Sequence, residues 1–164
     1  MAVVDLYTNS NVEVGKLSNS AFTTGAEIKG IVCVAELAAA DSNTSVYRIA
    51  RVGANMIPIK IEINNDAITS GTDYDLGLYK IGSGGLVKDK DCFADGVSMA
   101  SARVMGAEVS GLSAVGIEDM GKKVYEYAGD TIGDKQTSYD LCLTANVAGT
   151  AGGTVLVRAL FVQG

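Results

Sequence analysis

The sequence predicts a mainly β chain, an antiparallel β-sandwich with one or two short helices, and three observations lead there. Apolar residues recur at every second position over several separate stretches, which is the pattern of strands with one buried face. Glycine supplies 20 of the 164 residues and proline only one, Pro58, so the chain is turn-rich without the composition of a disordered polymer. Finally, a strand-like phrase, T-D-Y-D-L-G-L at 72–78, returns 65 positions later as T-S-Y-D-L-C-L at 137–143.

Taken in order, residues 1–30 hold Val4, Leu6, Tyr7, Leu17, Phe22 and Ile28 thinly spread among Ser, Thr and Asn. The segment can lie over a surface but hardly build a core. Two readings are open to it: a first strand with a long loop, or an extended arm that docks on a neighbouring subunit. From residue 31 to 164 the chain is the sandwich domain. I-V-C-V-A-E-L (31–37) and V-Y-R-I-A-R-V (46–52) flank a polar turn. M-I-P-I-K-I-E-I (56–63) alternates with Ile57, Ile59, Ile61 and Ile63 on one face, and Pro58, which has no N–H for a ladder, marks an edge strand or a bulge. Tyr74, Leu76 and Leu78 share a face, as do Tyr139, Leu141 and Leu143 in the second copy. Each copy runs into glycines, G-S-G-G from Gly82 and A-G-T-A-G-G from Ala148. The repeat is read as a scaffold element, with one copy at matching places in each of two sheets; chance and a duplicated site are the alternatives. The last strand, from Thr154, is apolar on nearly both faces and belongs at the centre of a sheet or under a partner.

Between the copies the period changes. In residues 116–129, Ile117, Met120, Val124 and Tyr127 or Ala128 recur at three and four, Glu118–Lys122 and Asp119–Lys123 are spaced as i,i+4 pairs, and Gly129 stands as a stop. That predicts one amphipathic helix. Residues 92–104 predict a shorter second one, interrupted by Gly96.

The totals limit the chemistry. With 164 residues the chain is long enough to fold as one domain without a metal or disulfide staple. Its net charge of -6 gives no general attraction to nucleic acid or to anionic membranes. No basic leader or long apolar run appears, so passage across a membrane as a secretory substrate is not expected. Cys33, Cys92 and Cys142 lie far apart with no C-x-x-C spacing, as small buried hydrophobes do in a reducing compartment. Histidine is absent altogether, which removes the commonest general base and the commonest metal ligand. Asp89, Asp91 and Asp95 in D-K-D-C-F-A-D-G echo the start of a calcium loop, but Phe93 and Ala100 stand where that loop needs oxygen ligands. A turn with Phe93 tucked into the core is preferred, and no catalytic, cofactor or metal residues are assigned.

The series S-V-Y-R-I-A-R-V, then N-N-D-A-I-T-S-G-T-D-Y-D-L-G-L-Y, then G-G-L-V-K-D-K-D-C-F-A-D-G resembles a group of small virion structural proteins of tailed bacteriophages. The likeness covers roughly 45–104, with weaker agreement at V-Y-E-Y-A-G and in the closing strand. It implies a head decoration, or cement, protein: a jelly-roll-like β-sandwich on the capsid surface, assembled in the bacterial host cytoplasm. Its partners would be the major capsid protein, whose neighbouring subunits it clamps, and itself as a dimer or trimer. Val4, Leu6, Tyr7, Leu17, Phe22, Pro58, Lys60 and Phe161 are then the expected capsid or subunit contacts. The alternative is a receptor- or glycan-binding module of a phage tail or fibre; only 6% aromatic residues and no Trp speak against a sugar platform.

Overall fold

A computed structural model describes residues 27–39 and 41–164. Among these described residues, eight strands form two antiparallel four-stranded sheets with almost no helix. The strands are β1 (Ile28–Leu37), β2 (Val46–Gly53), β3 (Met56–Asn65), β4 (Asp73–Tyr79), β5 (Val87–Val97), β6 (Val109–Ser110), β7 (Ser138–Val147) and β8 (Gly153–Gln163). One sheet runs β1-β8-β3-β6, the other β2-β7-β4-β5. The final strand is central, between β1 and β3, as its two apolar faces require. The core lies between the sheets: Ile61, Ile63, Val155, Val157 and Phe161 from one meet Val52, Tyr74, Leu76, Leu78, Tyr139, Leu141 and Leu143 from the other.

The repeated phrase does not place one copy in each sheet, as the sequence suggests. Its copies are neighbours in the same sheet, paired antiparallel, with Leu76 opposite Leu143 and Leu78 opposite Leu141. Gly77 faces Cys142, and these are the same position of the phrase, so a local two-fold runs through that pair. Self-complementarity explains the arrangement: a Tyr-x-Leu-x-Leu strand turned against its like puts six large side chains on one face, and all six are buried. The glycine turn after the first copy closes the β4–β5 hairpin, with the Lys80 N–H donating to the Leu86 carbonyl at 2.8 Å.

Pro58 does sit at a bulge. Pro58 opposes Phe161 and Lys60 opposes Leu160, so Ile59 is the extra residue. The bulge resets the alternation: Met56 and Pro58 point inward before it, Ile61 and Ile63 after it, while Ile59 is left exposed. The four isoleucines therefore do not share one face.

Neither predicted helix forms as expected. Residues 117–119 make a single 3-10 turn. Gly121 then takes φ 105, outside the helical region, and one short helix, α1 (Val124–Tyr127), follows. Its Val124, Tyr125 and Tyr127 are buried, with the Tyr127 ring 5.1 Å from that of Phe93. Ile117 stays 91% exposed and Met120 half exposed, so neither joins the core. The ion pair that forms is Asp119–Lys122 at 2.6 Å, an i,i+3 contact. Gly129, at φ 72, ends the segment as expected. Residues 92–97 belong to β5, because Phe93, Ala94 and Val97 are drawn into the core against β4. Among the described residues no helix is long and apolar enough to cross a membrane.

Candidate functional surface

The outward sides of the two sheets differ in kind. On β2-β7-β4-β5 the outward residues of the phrase are polar and closed off. Asp75 and Asp140, the same position in the two copies, are both buried. Asp75 accepts from the Lys90 ammonium at 2.6 Å, the Asn146 amide at 2.6 Å and the Gly96 N–H at 3.1 Å. Asp140 accepts from Arg48 at 2.9 Å, Arg51 at 3.1 Å and the Gly82 N–H at 3.0 Å. Burial pushes both carboxyls up, but these donors outweigh it and hold each below the usual carboxylate range. Tyr79 and Thr144 share a hydroxyl hydrogen bond at 2.9 Å, and Arg48 stacks over the Tyr79 ring. The network is satisfied and locked, which suits a scaffold rather than a reactive centre.

Three carboxylates gather beside it, with oxygens of Asp75, Asp91 and Asp95 within 4.8 Å of one another. This is not the trio Asp89, Asp91 and Asp95 of the sequence motif: β4 contributes Asp75 in place of Asp89. Both Asp75 oxygens already hold donors, Lys90 and Asn146 on one and Gly96 on the other, so the set does not fit a cation. Asp95 is pushed up by the neighbouring Asp75 charge, by burial and by Asp91. Burial raises the Cys142 thiol to about 12, which leaves it protonated and unreactive at neutral pH.

The outward side of β1-β8-β3 is largely apolar and, among the described residues, nothing covers it. Register places Ile28, Val162 and Ile57 in one row across it, then Gly30, Leu160 and Lys60, then Val32, Arg158 and Glu62, then Val34, Leu156 and Asn64. Val32 is 72% exposed, Ile28 59%, Val34 57%, and Ile59 and Leu160 just over 40%. Isolated exposed apolar residues are ordinary, whereas this set is contiguous across three strands. Polar groups interrupt it along β3 and at Arg158, which donates to Glu108 at 3.1 Å and pairs with Glu62 at 3.3 Å. Beyond β3 the face continues into an open trough of ≈ 450 Å³ between Ile59 and Lys60 on one side and Glu108 and Met120 on the other. Val104 and Met105, also exposed, stand at the far end of β3.

Of the contacts expected from the sequence, Lys60 is on this face, exposed and paired with Glu62 at 2.6 Å. Pro58 and Phe161 oppose each other in register and point into the core, Phe161 with no exposure at all, so they support the face from beneath. Val4, Leu6, Tyr7, Leu17 and Phe22 lie outside the described residues. The residues that form the face, Ile28, Val32, Val34, Ile59, Leu156 and Leu160, are not among the contacts expected from the sequence, which placed Ile59 with Ile57, Ile61 and Ile63 on one strand face. The signal was there in I-V-C-V-A-E-L and V-L-V-R-A-L-F-V, where the apolar run fails to alternate with polar residues.

No family model matches the sequence, and no curated protein matches it. Solved structures do. A chain in the capsid of Ralstonia phage GP4 superposes with a TM-score of 0.61 at 14% identity, over 85% of this chain and 87% of that one. A chain in the capsid asymmetric unit of cyanophage Pam1 gives 0.56 at 12% identity, over 91% and 94%. The likeness spans nearly the whole of each chain, and at these identities it shows a shared fold; both of the matching chains come from phage capsids.

Proposed function

We propose that this chain is a structural protein of a bacteriophage virion, which binds the outer surface of the capsid and clamps neighbouring major capsid subunits. The observation that carries the reading is the bare apolar face of β1-β8-β3 on a fold like that of chains from two phage capsids. We read the connectivity as a jelly roll: β1 pairs with β8, β2 with β7, β3 with β6 and β4 with β5, which is the pattern of one long hairpin rolled into two sheets. Such a body offers rigid walls and side-chain contact area, and a clamp needs no more than that.

The mechanism is linkage. A protein that binds only the assembled shell lowers that state's free energy relative to its parts, by an amount that grows with occupancy. The apolar face supplies the desolvated centre of the contact, and Lys60, Glu62, Glu108 and Arg158 supply its polar portion. The segment that precedes β1 serves as an arm that reaches an adjoining subunit. Quantitative densitometry of purified particles tests the reading. Hundreds of copies per particle are expected; a handful would place the chain in a tail and overturn it.

A further inference from the structure

We propose that two copies of this chain pair antiparallel along the outer edge of β1, about a two-fold axis at Val32, joining their β1-β8-β3-β6 sheets into one. The inference goes beyond capsid binding and is tested on the purified chain alone.

It starts from hydrogen-bond direction. The Glu27 carbonyl accepts from the Gln163 N–H at 3.2 Å, and 27 opposite 163 continues the register in which Ile28 faces Val162. In an antiparallel ladder such bonded pairs recur at every second residue, so the odd-numbered residues of β1 bond to β8. The even ones, Ile28, Gly30, Val32, Val34 and Glu36, turn their N–H and C=O groups away from it. Among the described residues no strand pairs with them.

Every other edge carries a device that discourages pairing. β2 has a bulge between Arg48 and Ala50, with Arg48 and Arg51 along it. β5 is bulged repeatedly against β4 and reads K-D-K-D through its first half. β3 is capped at one end by β6 and carries Pro58 and its bulge at the other. β1 has none of these. It runs ten residues with unbroken register and no proline, its only charged residues being Lys29 and Glu36 near its ends. Long, straight and apolar, it is a template for another strand.

The sequence of β1 favours its own copy as that strand. A two-fold axis perpendicular to a sheet keeps the two outward faces on one side, so even residues must oppose even residues. Centred on Val32, the pairing sets Val32 against Val32, Gly30 against Val34 of the second copy and Ile28 against its Glu36. The missing side chain of Gly30 leaves room for the valine opposite. Because the outward-pointing backbone groups belong to the same even residues, all five pairs are bonded ones, which amounts to about ten N–H···O bonds. The pairing also unites the two bare faces into one, doubling the apolar area presented to a capsid.

Sedimentation of the full chain should give twice the 16.9 kDa chain mass. Val32→Pro removes an N–H that makes no bond to any of the described residues, and Val32→Lys adds charge at the axis; each should give a monomer with an unchanged far-UV circular dichroism spectrum. Val32→Cys in a Cys33→Ser background should be joined to its copy by a short bis-maleimide, and that reading stands even if the proline variant fails to fold. A wild-type monomer, a trimer, a dimer that survives Val32→Lys, or the absence of the cross-link overturns the proposal. So does a wild-type monomer that dimerises once residues 1–26 are deleted, since that edge would then be covered by the chain's own N-terminal segment.

Discussion

Gly77→Ala should be among the most damaging single-methyl changes in this protein. At Gly77 the β4 backbone lies directly beneath the bulged part of β5. A Cβ there would come to 2.5 Å from the Lys90 carbonyl oxygen and closer still to that of Asp89. Gly77 is not in a left-handed conformation, so the constraint is space alone. The obstructing atoms are backbone, so no side-chain rotation relieves the clash; β5 must lift by roughly the shortfall from an ordinary contact, about 1 Å. That shift would pull Lys90 from Asp75, which it now meets at 2.6 Å, and loosen Phe93 from the core. Overpacking a tight site costs about 1–3 kcal/mol, and a rigid backbone obstacle places this one at about 3. For a chain of this length, that lowers the unfolding midpoint by roughly 6–12 °C. Thermal and urea unfolding of the purified variant measure it. Gly133→Ala is the control, because its Cβ would meet only the Thr131 hydroxyl oxygen at 3.9 Å; it should be neutral or slightly stabilising. Should Gly77→Ala unfold within about 1 kcal/mol of wild type, β5 does not press on β4 as described, and the explanation for glycine in the first copy fails.

Asp75 and Asp140 have folded pKa values below those of the unfolded chain. Their contribution is therefore present above about pH 4 and lost as pH falls further through the folded values. Asp75→Asn should cost about 2 kcal/mol at neutral pH, short of a fully enclosed pair because Lys90 reaches solvent, and should flatten the acid side of the stability profile; an unaltered acid limb in pH-dependent urea melts would refute this. Deleting residues 2–20 should leave a folded, soluble domain with weakened attachment to capsids, measured by co-sedimentation with stripped particles. Loss of folding on that deletion would show that the segment is core.

The local elements were legible where a strand's two faces differ. Tyr74, Leu76 and Leu78 announced a buried face, as did Tyr139, Leu141 and Leu143, and the lone proline marked its bulge because a missing N–H is a property of the residue itself. Glycine turns and a central last strand followed from composition in the same way. The apparent helix at 116–129 misled because periodicity records which residues would share a face, not whether the core lies opposite that face; Ile117 and Met120 stay outside the core, largely exposed.

What the sequence determined by itself was therefore local: strands, their turns, an acidic surface and a chain without histidine chemistry. Partnership was decided only in three dimensions. That the two copies of one phrase lie side by side, that Asp75 rather than Asp89 joins Asp91 and Asp95, and that Ile28, Val32, Val34 and Leu160 make one bare face all depend on register between strands far apart in the chain. Register is set by the summed fit of many such strand pairs at once, and no single stretch of residues contains that sum.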